Sequence, residues 1–236
     1  MNTSSLQVFL FQSDIKWKAV QENLTHYADC LNHLTLNPDI LIFPEMFNTG
    51  FAVNTVQLAE TMDGESVRFL IDCAKKYTTA VVASLAIKEG NAFFNSLLWI
   101  MPDGKIHRYD KRHLFSLVGE EKQLTKGTTK LLIHYKGWNL QPFICYDLRF
   151  PAWCQNDDHA DVQLYVANWP KKRIHHWKAL LQARATENQC YVVAVNRTGL
   201  DFSGNEHNGC SAVFDFAGQP LCMVEDKNGI TIVKLS

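Results

Sequence analysis

Apolar runs of strand length alternate along the chain with longer stretches whose apolar positions recur at helical spacing. The runs LQVFLFQ (6–12), DILIFPE (39–45), AVVASLAIKEG (80–90), FFNSLLWIM (93–101), DVQLYVAN (161–168) and QCYVVAVNRTG (189–199) read as buried strands. Helical spacing covers residues 20–34, 65–79 and 175–188, and a further short helix is predicted after Pro151. Alternation of this kind predicts an α/β fold. Consecutive strands within 80–111, turning at Pro102-Asp103-Gly104, and within 130–145 predict antiparallel hairpins in the same sheets, which must therefore be mixed. The chain closes with GCSAVFDFAGQPL (209–221) and GITIVKL (229–235). No internal repeat, low-complexity segment or Pro/Gly/Ser-rich linker interrupts the pattern, so a single domain over residues 1–236 is expected.

Composition narrows the class of task. A chain of 236 residues with 47% hydrophobic content can bury a sizeable core. Its 23 basic and 24 acidic side chains nearly cancel and form no block of one sign, which argues against nucleic acid or an anionic membrane as partner and favours a small molecule. The seven cysteines are odd in number, scattered and without a CxxC pair, a usage that fits a reducing compartment. The N-terminal apolar run is only strand length and lacks a basic flank, and nothing approaches the roughly 20 apolar residues of a membrane span. A soluble, cytoplasmic protein is the expectation.

Open α/β sheets bind ligands beyond the carboxyl ends of their strands, so polar residues at strand ends are the first candidates. Three stand out: Glu45 after LIFP, Lys111 at the end of KIHRYDK, and Cys145 after PFI. Each has a plain structural reading. Cys145 can be a packed thiol, since free cysteines are among the most buried residues; against that, Tyr-Asp-Leu-Arg-Phe-Pro after it turns the strand into a corner where a side chain is exposed beside backbone N–H groups. Cys30, Cys73 and Cys190 lack such a corner and read as core. Glu45 can be solvated at a strand end, or can be a base whose carboxyl is desolvated by Phe47 and Phe51. Lys111, among the charges of HRYDKRHLF, can lie on the surface or can offer an ammonium to a developing oxyanion.

The order PEMFNTGF, YDKRHLF, CYDLRFP resembles the nitrilase, or carbon-nitrogen hydrolase, superfamily, with the three candidates 66 and 34 positions apart (45 to 111, 111 to 145). Within it, NWPKKRIHHWKALLQARATENQCYVVAVNRTG (168–199) is similar to the omega-amidase branch, which hydrolyses the terminal amide of 2-oxo acids such as 2-oxoglutaramate and 2-oxosuccinamate. The resemblance implies a four-layer αββα sandwich, association as a homodimer, and a Glu-Lys-Cys triad working without metal or organic cofactor. Glu45 is then the general base, Lys111 the oxyanion stabiliser and Cys145 the nucleophile. It also implies a second glutamate after the lysine motif, for which SLVGEEK offers Glu120 and Glu121, with Glu120 preferred on spacing. The backbone N–H of Tyr146 would complete the oxyanion site, and Phe51 and Trp169 would wall the pocket. For a substrate carboxylate, Arg173 is the favoured partner over the null of a solvated Lys171-Lys172-Arg173 loop; Arg149 is a second candidate, with the alternative of bracing the turn against Asp147.

Rival readings stay open at this point. Other superfamily members take nitriles or N-carbamoyl amino acids with the same triad. A Cys-His hydrolase is the first outsider, with His113 as the nearest imidazole in sequence to Lys111. His175-His176 and the group His159, Asp157, Asp158, Asp161 raise a metal site, but adjacent histidines on a helix point about 100° apart and do not give the i, i+4 ligand pair of HExxH helices. Last is a binding protein that keeps the fold without activity.

Overall fold

The computed structural model describes residues 5–51 and 53–236. Two mixed sheets form its middle. The first is built from β1 (Leu6–Gln12), β2 (Ile40–Ile42), β3 (Ala80–Glu89), β4 (Ala92–Ile100), β5 (Ile106–Asp110) and β13 (Gly229–Leu235), in the order β13-β1-β2-β3-β4-β5. The second holds β6 (Ile133–Tyr135), β7 (Trp138–Ile144), β8 (Val162–Ala167), β9 (Tyr191–Asn196), β10 (Thr198–Leu200), β11 (Glu206–Phe214) and β12 (Pro220–Glu225), in the order β10-β11-β9-β8-β7-β6, with β12 also on β11. Helices α1 (Val20–Asn32) and α2 (Glu65–Tyr77) belong to the first half, and α3 (Ile174–Asn188) to the second.

Strand direction follows from the connections. β1, β2 and β3 run parallel because α1 and α2 carry the chain back between them, and β8 and β9 are parallel across α3. β3-β4-β5 and β6-β7 are the antiparallel hairpins expected from their short turns.

The period-2 alternation of strand side chains decides the layering. From β1, Val8 and Leu10 point into one core cluster together with Ile40, Val82, Leu97 and Trp99, a cluster they share with Leu140 and Ile144 of the other sheet. Phe9 and Phe11 point the opposite way, with Leu41, Val81 and Ala83, onto Leu24, Tyr27 and Leu31 of α1 and Val67, Leu70 and Ala74 of α2. α3 covers the second sheet through Trp177, Leu181 and Ala185. The four layers are thus helices, sheet, sheet, helix, the αββα sandwich implied by the resemblance.

Two elements differ from the sequence reading. Regular pairing in DILIFPE stops at Ile42, although Phe43 still donates to the Val82 carbonyl at 2.8 Å; Glu45 therefore lies in a turn rather than at a strand's last position. No helix follows Pro151. The helical turn comes earlier, as a 3₁₀ turn over Cys145–Arg149, and the next residues close turns back onto Phe150 before Asn156 caps the Ala160 backbone, consuming the length a helix needs. The apolar stretch 209–221 is broken at Asp215, whose side chain accepts from the N–H groups of Ala217 and Gln219 and so makes the β11–β12 hairpin turn. No described helix is long and apolar enough to cross a membrane.

Trp177 is fully buried, its ring lies 5.3 Å from that of Trp169, and its Nε1 donates to the Cys210 carbonyl at 2.8 Å. Trp177→Ala removes a large core side chain and leaves that carbonyl unpaired, so a loss of about 3–5 kcal/mol is expected in denaturant unfolding.

Candidate active site

The three candidate residues follow β2, β5 and β7, and the packed sheets bring those ends to one place. Glu45 begins a tight turn in which Met46 takes a positive φ of 48°. Ser84 pins the turn, its hydroxyl accepting from Met46 N–H and its carbonyl from Phe47 N–H, while Tyr27 and Asn23 donate to the carbonyls of Phe47 and Asn48. Lys111 leaves β5 with its backbone N–H on the Asn95 carbonyl of β4, at 2.9 Å. Cys145 itself has φ of 43°, the left-handed region that costs a non-glycine residue strain. Fully buried Asp147 holds that corner: its carboxylate accepts from Ile144 N–H (3.1 Å), the Tyr109 hydroxyl (2.7 Å) and His113 N–H (2.8 Å), tying the Cys145 turn to the residues flanking Lys111.

At the centre, the Lys111 ammonium donates to Glu45 Oε1 at 2.9 Å and to both oxygens of Glu120 at 3.1 and 3.0 Å, with all three side chains essentially without exposure. Burial disfavours the Lys111 charge, but Glu120 and Glu45 more than offset it and hold the ammonium above its ordinary range. Burial raises the Glu120 carboxyl, against the pull of Lys111 and with the repulsion of Glu45. The other Glu45 oxygen, Oε2, accepts the Asn168 backbone N–H at 2.8 Å, and the Asn168 side chain bonds the Glu45 carbonyl. Cys145 keeps partial exposure toward the cavity, yet burial, with the Glu45 charge added, pushes its thiol well above the ordinary value; Lys111 opposes this, and Glu45 is also a hydrogen-bonding neighbour of the sulfur. Burial and the neighbouring Glu45 thus favour the thiol form of Cys145 over the thiolate.

Glu45, Lys111, Cys145 and Asn168 line a cavity of about 280 Å³, whereas Glu120 stands behind Lys111 and is not part of the lining. Phe51, Tyr146, Trp169 and Arg173 line it, as the sequence reading expected, and the Lys111 ammonium stands 5.1 Å from the Phe51 ring centre. Arg149 is on the wall as well. Its guanidinium lies 4.8 Å from the Trp169 ring and donates to His176 Nδ1 at 3.0 Å, while the Asp147 oxygens go to Tyr109, His113 and Ile144; the alternative of an Asp147–Arg149 brace does not form. Among the described residues neither Arg149 nor Arg173 makes an ion pair with a carboxylate. Burial and the Arg149 charge lower the Arg173 guanidinium from its ordinary value, with Cys145 pulling the other way. Glu121 is exposed, which separates it from Glu120. His113 is not in the cavity lining: it stacks on Phe150 with ring centres 3.7 Å apart and faces Asp147. Among the described residues no group of three or more His, Cys, Asp or Glu side chains is arranged to hold a metal ion.

Two residues of the cluster escaped the sequence reading, Asn95 and Asn168. Asn95, mid-strand in FFNSLLWIM, donates from Nδ2 to Glu45 Oε1 at 2.9 Å and to Glu120 Oε1 at 3.5 Å. A polar side chain inside an otherwise apolar strand was the available signal for it.

The family model described as Carbon-nitrogen hydrolase matches residues 10–236, and the chain belongs to that family. It is 40% identical to the omega-amidase YafV of Yersinia enterocolitica over 94% of this chain and 86% of that protein. It is 34% identical to the 2-oxoglutaramate amidase of Bacillus subtilis over 93% of this chain and 86% of that one. The crystal structure of a carbon-nitrogen hydrolase superfamily protein from Xanthomonas campestris, with an arsenic adduct in its active site, superposes with a TM-score of 0.96 at 38% identity, covering 99% of this chain and 91% of that one.

His207 lies at the cavity wall, buried; burial first, then the charges of Arg197 and Arg173, lower its imidazole from 6.5 to about 4, against the pull of Asp201. Above the unfolded value both states are neutral there. As pH falls below it, the unfolded chain takes up a proton that the folded chain refuses until about 4, so stability drops across that window. Between about pH 7.5 and about pH 5 this amounts to about 2 kcal/mol. Urea unfolding of His207→Gln at the two pH values is expected to show a smaller acid loss than the parent by about that amount.

Proposed function

We propose that this chain is a thiol amidohydrolase of omega-amidase type, releasing ammonia from the terminal amide of 2-oxoglutaramate or 2-oxosuccinamate. The observation that carries the reading is one cavity lined by the Cys145 sulfur, the Glu45 carboxyl, the Lys111 ammonium and two arginines that have no carboxylate partner among the described residues. The first set suits acyl transfer, and the arginines suit the free carboxylate of a short amide acid. The names of the relatives from Yersinia enterocolitica and Bacillus subtilis agree with that substrate class.

In this reading Glu45 takes the Cys145 proton as sulfur attacks the amide carbon. A raised thiol calls for that coupling, because little thiolate exists before the base acts. The tetrahedral oxyanion is held by the Lys111 ammonium and the Tyr146 backbone N–H. Protonated Glu45 then gives its proton to the departing nitrogen, and ammonia leaves as the thioester forms. Water, deprotonated by the same carboxylate, attacks the thioester; its collapse releases the acid and returns the proton to sulfur. Glu120 keeps Lys111 charged and oriented through its two oxygens. Arg173 and Arg149 receive the far carboxylate, with Trp169 and Phe51 as apolar walls. A homodimer and a cytoplasmic setting belong to the same reading. They are supported by the family resemblance and by seven cysteines that stand as free thiols.

Ammonia release from 2-oxoglutaramate, 2-oxosuccinamate, glutamine, a simple nitrile and a carbamoyl amino acid tests the substrate. Preference for the 2-oxo amides is expected; preference for any other member would sink the substrate assignment and leave the triad standing. Cys145→Ala and Glu45→Gln are expected to abolish turnover, and Lys111→Ala to lower kcat by roughly 10²–10³. Activity that survives Glu45→Gln but not His113→Ala would replace the triad with a Cys-His pair. Arg173→Met and Arg149→Met are expected to raise KM by roughly 10–100-fold for 2-oxo amide acids and to leave uncharged amides little changed.

A further inference from the structure

Asn95 touches every charged member of the cluster except the sulfur. Its carbonyl accepts the Lys111 backbone N–H at 2.9 Å, and its amide nitrogen divides its two hydrogens between Glu45 Oε1 at 2.9 Å and Glu120 Oε1 at 3.5 Å. The side chain is fully buried on β4, opposite Ala86 of β3. Its Oδ1 has no hydrogen-bond partner among the described residues. The opposite orientation of the amide would set an oxygen against two carboxylates, so the donor side must face them.

The consequence lies in the lone pairs of Glu45. A carboxylate oxygen accepts about two hydrogen bonds. Oε1 already accepts two, from Lys111 Nζ and Asn95 Nδ2, whereas Oε2 accepts one, from the Asn168 N–H. We propose that Asn95 is a positioning residue of this site: by saturating Glu45 Oε1 it makes Oε2 the oxygen that takes the Cys145 proton, and it holds Glu45 and Glu120 side by side around one ammonium. The inference rests on the reading of Glu45 as the base. The ionisable groups around it are Glu45 from the turn after β2, Lys111 after β5, Glu120 from its own short turn and Cys145 after β7.

Asn95→Leu keeps the branching at Cγ, at a larger volume, and removes the donor. A carboxylate that loses a hydrogen bond holds its proton to higher pH, so the acid limb of kcat/KM is expected to move up by about one pH unit, with kcat down roughly 10–100-fold and KM within about threefold. Asn95→Asp behaves in the opposite sense. An acid between two carboxylates keeps its proton and can donate it at low pH, then loses that ability as pH rises. Measured as ammonia release from the panel amide turned over fastest, the activity of the leucine variant relative to the parent is expected to rise with pH and that of the aspartate variant to fall. A merely structural role lowers both ratios without slope, and flat ratios, or a leucine variant within about threefold of the parent, would overturn the proposal. If the leucine variant does not fold, the slope of the aspartate variant decides alone. Glu45→Gln, assayed in parallel, separates the two levels: activity there means that the base is misassigned, whereas a dead glutamine variant with flat Asn95 ratios means that only the role of Asn95 is wrong.

Discussion

The rest of the structure is arranged around a lysine charge held away from water between two carboxylates. Taking Lys111, Glu45 and Glu120 out of solvent is costly, and their mutual attraction offsets that cost only if the geometry is held and the remaining lone pairs are satisfied. The surroundings meet both conditions. Asn95 and the Asn168 N–H fill places on Glu45, the Phe115 N–H fills one on Glu120, and the Asn95 carbonyl fixes the Lys111 backbone. Removing any one partner would leave a desolvated charge, which explains why so many backbone groups from different strands converge on three side chains.

That demand accounts for the local irregularities. β2 stops after three residues because the chain must turn Glu45 toward β4 and β5, and Met46 takes a left-handed conformation held by Ser84. Cys145 takes another, held by Asp147. Asp147 also grips Tyr109 and His113 on either side of Lys111, so the strained corner and the ammonium share one buried brace. His113, the natural partner for a cysteine on sequence grounds, is occupied in that brace. Glu45, not His113, is the titratable side chain that neighbours the sulfur.

The cavity adds a second electrostatic theme. Arg149 and Arg173 are packed on Trp169 and Phe115 rings rather than on carboxylates. Guanidinium groups tolerate such stacking because their flat faces are weakly hydrated, while their edges remain free to bind an anion. Under the proposed function, the two arginines would take the carboxylate of a short amide acid and leave its amide toward the sulfur.

Much of this was legible in the sequence. Alternating patterns located strands and helices, Pro102-Asp103-Gly104 marked a hairpin, and the order of PEMFNTGF, YDKRHLF and CYDLRFP marked the family and three candidate residues that the fold brings together. Those signals are local, or are ordered along one chain, and so survive without coordinates. Three matters were not legible. Glu120 and Glu121 are neighbours in sequence, and only the turn that buries one and exposes the other distinguishes them. Arg149 looked like a brace for Asp147 because they are two residues apart, but the sheet packing gave Asp147 to residues 34 and 38 positions away. Asn95 drew no reading in the sequence, where it sits beside Ser96 in a mostly apolar strand, and its contacts lie 50 residues distant at Glu45 and 25 at Glu120. Sequence by itself determined which side chains were available and which faces were apolar. Tertiary structure alone decided which polar atoms share a desolvated space, because hydrogen-bond partners there are set by distance across two packed sheets and not by spacing along the chain.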